Sequence, residues 1–208
     1  MTLAAERRAL RYADYLVAED AASERHAFHD GEVFAMAGGS TVHALVAAEV
    51  GRLLGNALVD RPCAAIGSDQ RIHIDADNAT YADAVVLCPP LLRPPTDPHA
   101  VTNPIVVVEV LSPSTEAWDR GGKFALYATL PSLRHYVLAA QDCWRVEHYR
   151  RAEDGSWRLT VHGPGDSVFL DAIEARIPVD ELYARVEAFG GPTPQDRPRP
   201  PGPAREPA

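Results

Sequence analysis

The sequence predicts one α+β domain, a mixed β-sheet flanked by helices, and two observations carry that expectation. Helix-like and strand-like segments follow one another in the order αβα–βββ–α–βββ, closed by a short helix, with no internal repeat. The composition, 46% hydrophobic and 24% charged over 208 residues, is that of a globular chain long enough to bury a full core.

The elements follow in order. A helix is expected over about residues 3–17. Residues 24–36 read as a hairpin, because Asp30-Gly31 offers two φ > 0 positions between short runs. After a glycine break, Ser40 caps a helix of about 41–59, whose Val42, Val46, Val50, Leu53, Leu54 and Ala57 recur at helical spacing. Runs at 66–74, 81–87 and 105–111, rich in β-branched residues and separated by Asp/Asn or Pro turns, read as strands. Ser112-Pro113-Ser114-Thr115 ends the third and caps a helix of about 116–129. Strands at 134–140 and 144–150, a turn at Asp154-Gly155, a strand at 157–162 and a helix at 179–188 complete a domain spanning 1–190. Residues 191–208 hold seven of the 18 prolines and are expected to form a disordered tail.

A formal net charge of −9 disfavours a protein that coats nucleic acid nonspecifically, but not a nuclease with a local basic surface. No signal core or membrane-length apolar stretch occurs, so a soluble, cytoplasmic protein is expected. Cys63, Cys88 and Cys143 are odd in number and widely spaced, which suits free thiols in a reducing compartment. Neither a Gly-x-Ser-x-Gly elbow nor a P-loop or Rossmann glycine pattern is present. His26 and His29 face opposite sides of a strand and cannot easily share a metal.

One residue type stands apart: of 20 basic side chains only Lys123 is a lysine. A lysine, unlike arginine, is a compact, tunable ammonium that can sit beside a phosphate or orient a water. Fourteen residues earlier, Glu109 is the lone charge in the apolar strand 105–111, where an unpaired carboxylate would cost several kcal/mol. Asp83 stands at the start of the preceding strand run, so two strands offer carboxylates toward one end of a sheet. Such oxygen ligands suit Mg²⁺ or Mn²⁺, with Asp83 and Glu109 as the metal ligands and Lys123 assisting the attacking water. Asp119, Lys123 and Tyr127 share a helical stripe that could face Glu109; an ordinary Asp119–Lys123 surface pair, or an internal ion pair of Glu109, is the bland alternative.

Asp83, then Glu109-Val110-Leu111-Ser112-Pro113-Ser114-Thr115, then Asp119, Lys123 and Tyr127 resemble the Uma family of restriction-endonuclease-like proteins. Glu24, Asp30-Gly31-Glu32, Met36 and His43 resemble that family's N-terminal block, and the similarity covers about residues 10–187. The resemblance implies the PD-(D/E)XK nuclease fold with a metal-dependent phosphodiesterase site. Asp83 would be the aspartate of the first half-motif and Glu109 the acid of the second. Ala82 replaces the proline, and Leu111 stands where a lysine is usual, so the lysine would come from Lys123. Glu24 would be an additional acid near the metal or a plain hairpin glutamate; His43 would be a site residue or a structural histidine in the first turn of its helix. The expectation is therefore a metal-dependent endonuclease on DNA, with RNA open, acting as a homodimer. Arg71, Arg120 and Arg134 would contact phosphates. The alternatives are a non-catalytic binding or assembly module of the same fold and an enzyme for another phosphoester.

Overall fold

In the computed structural model, residues 9–36 and 39–196 are described. The first helix, α1, covers Tyr12–Ala21. Residues 3–8 of the expected helix lie outside the described residues; at the start of α1 the Asp14 carboxylate accepts the Arg11 N–H at 3.3 Å, and the helix runs four residues further than its pattern suggested. The expected hairpin forms as β1 (His26–His29) and β2 (Glu32–Ala35), and its turn residues Asp30 and Gly31 take φ of 49° and 80°. Ser40 caps α2 (Thr41–Ala57) by accepting the His43 N–H, and Val46, Val50, Leu53 and Leu54 form its buried stripe.

Two apolar runs that read as single strands are each divided between two sheets. Residues 66–74 resolve into β3 (Ala64–Gly67) and β4 (Arg71–Asp75), and residues 81–87 into β5 (Asn78–Tyr81) and β6 (Ala84–Leu87). Hydrophobic pattern does not show this for 81–87, which is buried on both sides of Asp83, whereas between β3 and β4 the chain is exposed at Gly67, Ser68 and Asp69. With β7 (Pro104–Leu111), β8 (His135–Ala140), β9 (Val146–Arg151) and β10 (Trp157–His162), a six-stranded sheet runs β10-β9-β8-β7-β6-β3. Only β7 and β8 pair in parallel, which makes the sheet mixed. A four-stranded antiparallel sheet, β2-β1-β5-β4, adjoins it.

The segment expected as one helix over 116–129 is α3 (Glu116–Trp118), a π-helical turn over Asp119–Lys123, and α4 (Phe124–Ala128). The turn carries Gly121-Gly122, and the Trp118 indole lies so close over Gly122 that a Cβ there would approach it to 1.9 Å. A further hairpin, β11 (Ser167–Leu170) and β12 (Ala175–Pro178), was not legible in the pattern: its strands are four residues long, and Glu174 takes the left-handed turn position without a glycine or asparagine. It leads into α5 (Val179–Ala188), which packs against α2.

The large sheet is covered on both faces. Val106, Val108 and Val110 of β7 meet α2, α5 and the β11–β12 hairpin, while Val107 and Leu111 meet Tyr127, Leu130, Leu133 and Tyr136. Alternation along β7 therefore sends Glu109 to the side of the π-helical segment. Under the small sheet, α1 stacks Tyr15 on Phe28 at 5.1 Å. There Arg71 is only 5% exposed, and it donates to Asp97 Oδ2 (2.8 Å), Tyr81 Oη (2.9 Å) and Asp20 Oδ1 (3.4 Å).

Two sequence expectations are corrected. Cys63 and Cys88 are joined in a disulfide, and Cys143 alone is a free, buried thiol. They flank the paired strands β3 and β6, so a spacing of 25 residues becomes a side-by-side contact that the sequence does not reveal. Residues 191–196, assigned by composition to the tail, are anchored to the domain: Pro192 is buried, and its carbonyl accepts the Trp144 indole N–H at 2.7 Å. Residues 197–208 lie outside the described residues. Among the described residues, no helix is long and apolar enough to cross a membrane.

A buried histidine pair predicts acid sensitivity. His135 Nδ1 and His148 Nε2 share a hydrogen bond of 2.9 Å, and burial pushes both imidazoles down to about 4 from 6.5. In the unfolded chain both take up protons near 6.5, whereas the folded chain excludes them until about 4. The unfolded state thus binds more protons across that window, and stability falls as pH drops through it. Denaturant midpoints should decline from pH 6.5 to 4.5 in the wild type, and less steeply in His148→Gln; an equal slope would contradict this assignment.

Candidate active site

Asp83 sits where the chain leaves the small sheet for β6. Because β6 begins at Ala84, opposite Val108, the Val110 N–H on that side has no strand partner. Asp83 Oδ2 accepts it at 2.6 Å, which fixes the carboxylate at the edge of β7. His43 Nε2, from the first turn of α2, lies 3.5 Å from the same oxygen.

Glu109, on the adjoining strand, is 3% exposed. Lys123 Nζ stands 2.8 Å from Glu109 Oε1, and the Tyr127 hydroxyl donates to that oxygen at 3.1 Å. Asp119 Oδ1 approaches Lys123 Nζ at 3.8 Å, and Tyr136 pins the π-helical turn by donating its hydroxyl to the Asp119 carbonyl at 2.8 Å. The stripe Asp119, Lys123, Tyr127 therefore faces the sheet, with all three side chains buried. Wide π turns of this kind recur at functional sites, and this one carries both Asp119 and Lys123.

The electrostatics are lopsided. Burial, opposed by Lys123 and reinforced by Asp83 and Asp119, pushes the Glu109 carboxyl up to about 8. Burial also raises Asp119. Burial works against the Lys123 ammonium, but Glu109 and Asp119 outweigh it and hold its pKa above the ordinary value. Three carboxyls thus share one lysine, and the cluster is short of positive charge.

A divalent cation fits this donor set. Among the described residues, Asp83 Oδ1 and Glu109 Oε2 accept no hydrogen bond, so each carboxylate keeps one oxygen free. No group of three or more His, Cys, Asp or Glu side chains forms a ready metal cage among the described residues. Two carboxylates with positions left to water and phosphate are what a small hard cation accepts.

The structure brings together Asp83, Glu109, Lys123 and His43, and adds Asp119 and Tyr127, whose signal was the four-residue spacing with Lys123. It does not bring Glu24 into this cluster: Glu24 is exposed in the bend before β1 and makes no hydrogen bond or ion pair among the described residues. The three arginines expected at phosphates are placed otherwise. Arg71 is buried in its own ion pairs, Arg120 is paired to Glu116 and Glu147, and Arg134 lies at the opposite end of the sheet, bonded through its N–H to Ile105.

A mixed sheet between helices, with acids on adjacent strands and a lysine from the following helix, defines a nuclease-like α+β domain. The chain belongs to the Uma2 family, whose description is "Putative restriction endonuclease", with residues 12–180 matched. It is similar to two proteins of Synechocystis sp. The "Uncharacterized protein slr1290" is 38% identical over 171 residues, 82% of this chain and 89% of that protein. The "Uncharacterized protein sll1609" is 36% identical over 161 residues, 77% and 91% of the two chains. Its fold is similar to that of a crystal structure described as "a putative nuclease belonging to DUF820" from Anabaena variabilis, with a TM-score of 0.69 at 14% identity. That likeness covers 84% of this chain and 98% of the other.

Proposed function

We propose that this protein is a metal-dependent endonuclease that hydrolyses phosphodiester bonds in DNA, with Mg²⁺ or Mn²⁺ as its cofactor. RNA offers the same bond, and a homodimer would set two such sites on the two strands of a duplex. The observation that carries the reading is the convergence of Asp83, Glu109 and Lys123 from two strands and a helix, with Lys123 Nζ 2.8 Å from Glu109.

Asp83 and Glu109 would hold the metal through their free oxygens. When bound, the metal supplies charge neutralisation at the phosphate and a water of lowered pKa. The residues of the chain do the remaining work. The Val110 N–H and His43 fix Asp83, while Tyr127 and Lys123 fix Glu109, so neither carboxylate must reorganise during reaction. Lys123 would orient the attacking water and meet the charge that develops on the phosphate.

The same 2.8 Å contact also favours a second reading, a binding or assembly module in which Lys123 permanently neutralises Glu109. Mn²⁺ titration followed by calorimetry separates the two. The nuclease reading predicts binding in the millimolar range or tighter, lost in Glu109→Gln; heat identical in both proteins, or none in either, would support the module.

A further inference from the structure

Beside the carboxylate cluster lies an open cleft of about 540 Å³ that the proposed chemistry leaves unused. It sits past the carboxyl ends of β7 and β8, the single parallel pair of the large sheet. Diverging connections at such strand ends leave the crevice in which ligands of open α/β sheets bind. Leu111, Ser112, Gln141, Arg145, Ser40 and Arg120 line it. Along the chain its lining adjoins the cluster: Leu111 follows Val110, whose N–H holds Asp83, and Arg120 follows Asp119.

The cleft holds one uncommitted guanidinium. Glu147, buried on β9, accepts Arg120 Nη2 at 3.1 Å and Arg145 Nε at 3.2 Å. Arg120 is used up, because its Nη1 is bound to Glu116 at 2.6 Å. Arg145 commits only Nε, so among the described residues both of its terminal amines lack a partner. The acids of the lining are engaged: Glu116 with Arg120 and Asp196 with the Thr193 N–H, and Asp142 is not free either. Gln141 points its carbonyl at Ser40 Oγ (2.7 Å), and its amide N–H groups have no partner among the described residues.

A guanidinium held through Nε, with both terminal amines free, is an oriented receptor for a phosphate. The volume is that of a small-molecule pocket rather than a duplex groove. Resting on the nuclease reading, we propose that this cleft holds one nucleotide beside the scissile phosphodiester, with Arg145 gripping its phosphate and Gln141 donating to its base.

The test is calorimetric titration of the metal-free protein with deoxyadenosine monophosphate, using wild type, Arg145→Ala, Arg145→Gln and Glu109→Gln. The proposal expects binding that both Arg145 variants weaken about tenfold or more and that Glu109→Gln retains. In cleavage assays, Arg145→Gln should raise KM about tenfold with kcat little changed. No nucleotide binding by the wild type, or equal affinity in the Arg145 variants, overturns the cleft even if DNA is cleaved. Failure of the nuclease reading is recognised separately, as absence of cleavage with any divalent metal.

Discussion

Replacing Lys123 with methionine is expected to reduce metal-dependent cleavage about 10²- to 10⁴-fold, the range for loss of a positioned proton-transfer or charge-stabilising group. It is also expected to lower stability by about 3–5 kcal/mol, because a buried acid cluster loses its cation. Protonation of Glu109, whose pKa is already about 8, softens that loss toward the lower figure. Lys123→Arg keeps the charge but forces a planar fork into a pocket filled by Glu109, Asp119 and Tyr127, so it should not restore the rate. Single-turnover cleavage and urea unfolding read the two effects independently. A Lys123→Met protein as active as the wild type would remove the lysine from the chemistry, whatever its stability.

Arg71→Leu is expected to destabilise the fold by about 3–5 kcal/mol, because it strands Asp97 in the interior. Asp97 is 1% exposed, and its Oδ2 receives both Arg71 and the Tyr12 hydroxyl, so the lost guanidinium also loosens α1 from the small sheet. Against a total of about 5–15 kcal/mol for a typical domain, that is a large share. The matched variant Asp97→Asn keeps a hydrogen-bond acceptor for Arg71 and should lose less. A fall under about 1 kcal/mol for Arg71→Leu would mean that water reaches the cluster and supports the charges.

Local chemistry announced itself well in this sequence. The Asp30-Gly31 turn, the Ser40 cap, the stripe of α2, the alternation of β7 and the closing helix at 179–188 formed as their residues require. The same holds for the contact between Glu109 and Lys123. A lone charge in an apolar strand needs a cation, and the only lysine lay on a helix that could return to it. What stayed hidden depends on contacts between distant segments. Nothing local tells that the run at 81–87 changes sheet at Asp83, although that change frees the Val110 N–H that Asp83 captures. Nor does spacing show that Cys63 meets Cys88, or that Arg71 is buried among acids. Arg145 carried no signal, since its value lies in what Arg120 and Glu147 leave unpaired.

The most direct test of the central claim is supercoiled plasmid incubated with Mn²⁺ or Mg²⁺, wild type beside Glu109→Ala, each with and without EDTA. The account predicts nicked and linear DNA from the wild type in the presence of metal, and none with EDTA or from the variant. Cleavage by Glu109→Ala equal to that of the wild type would contradict it.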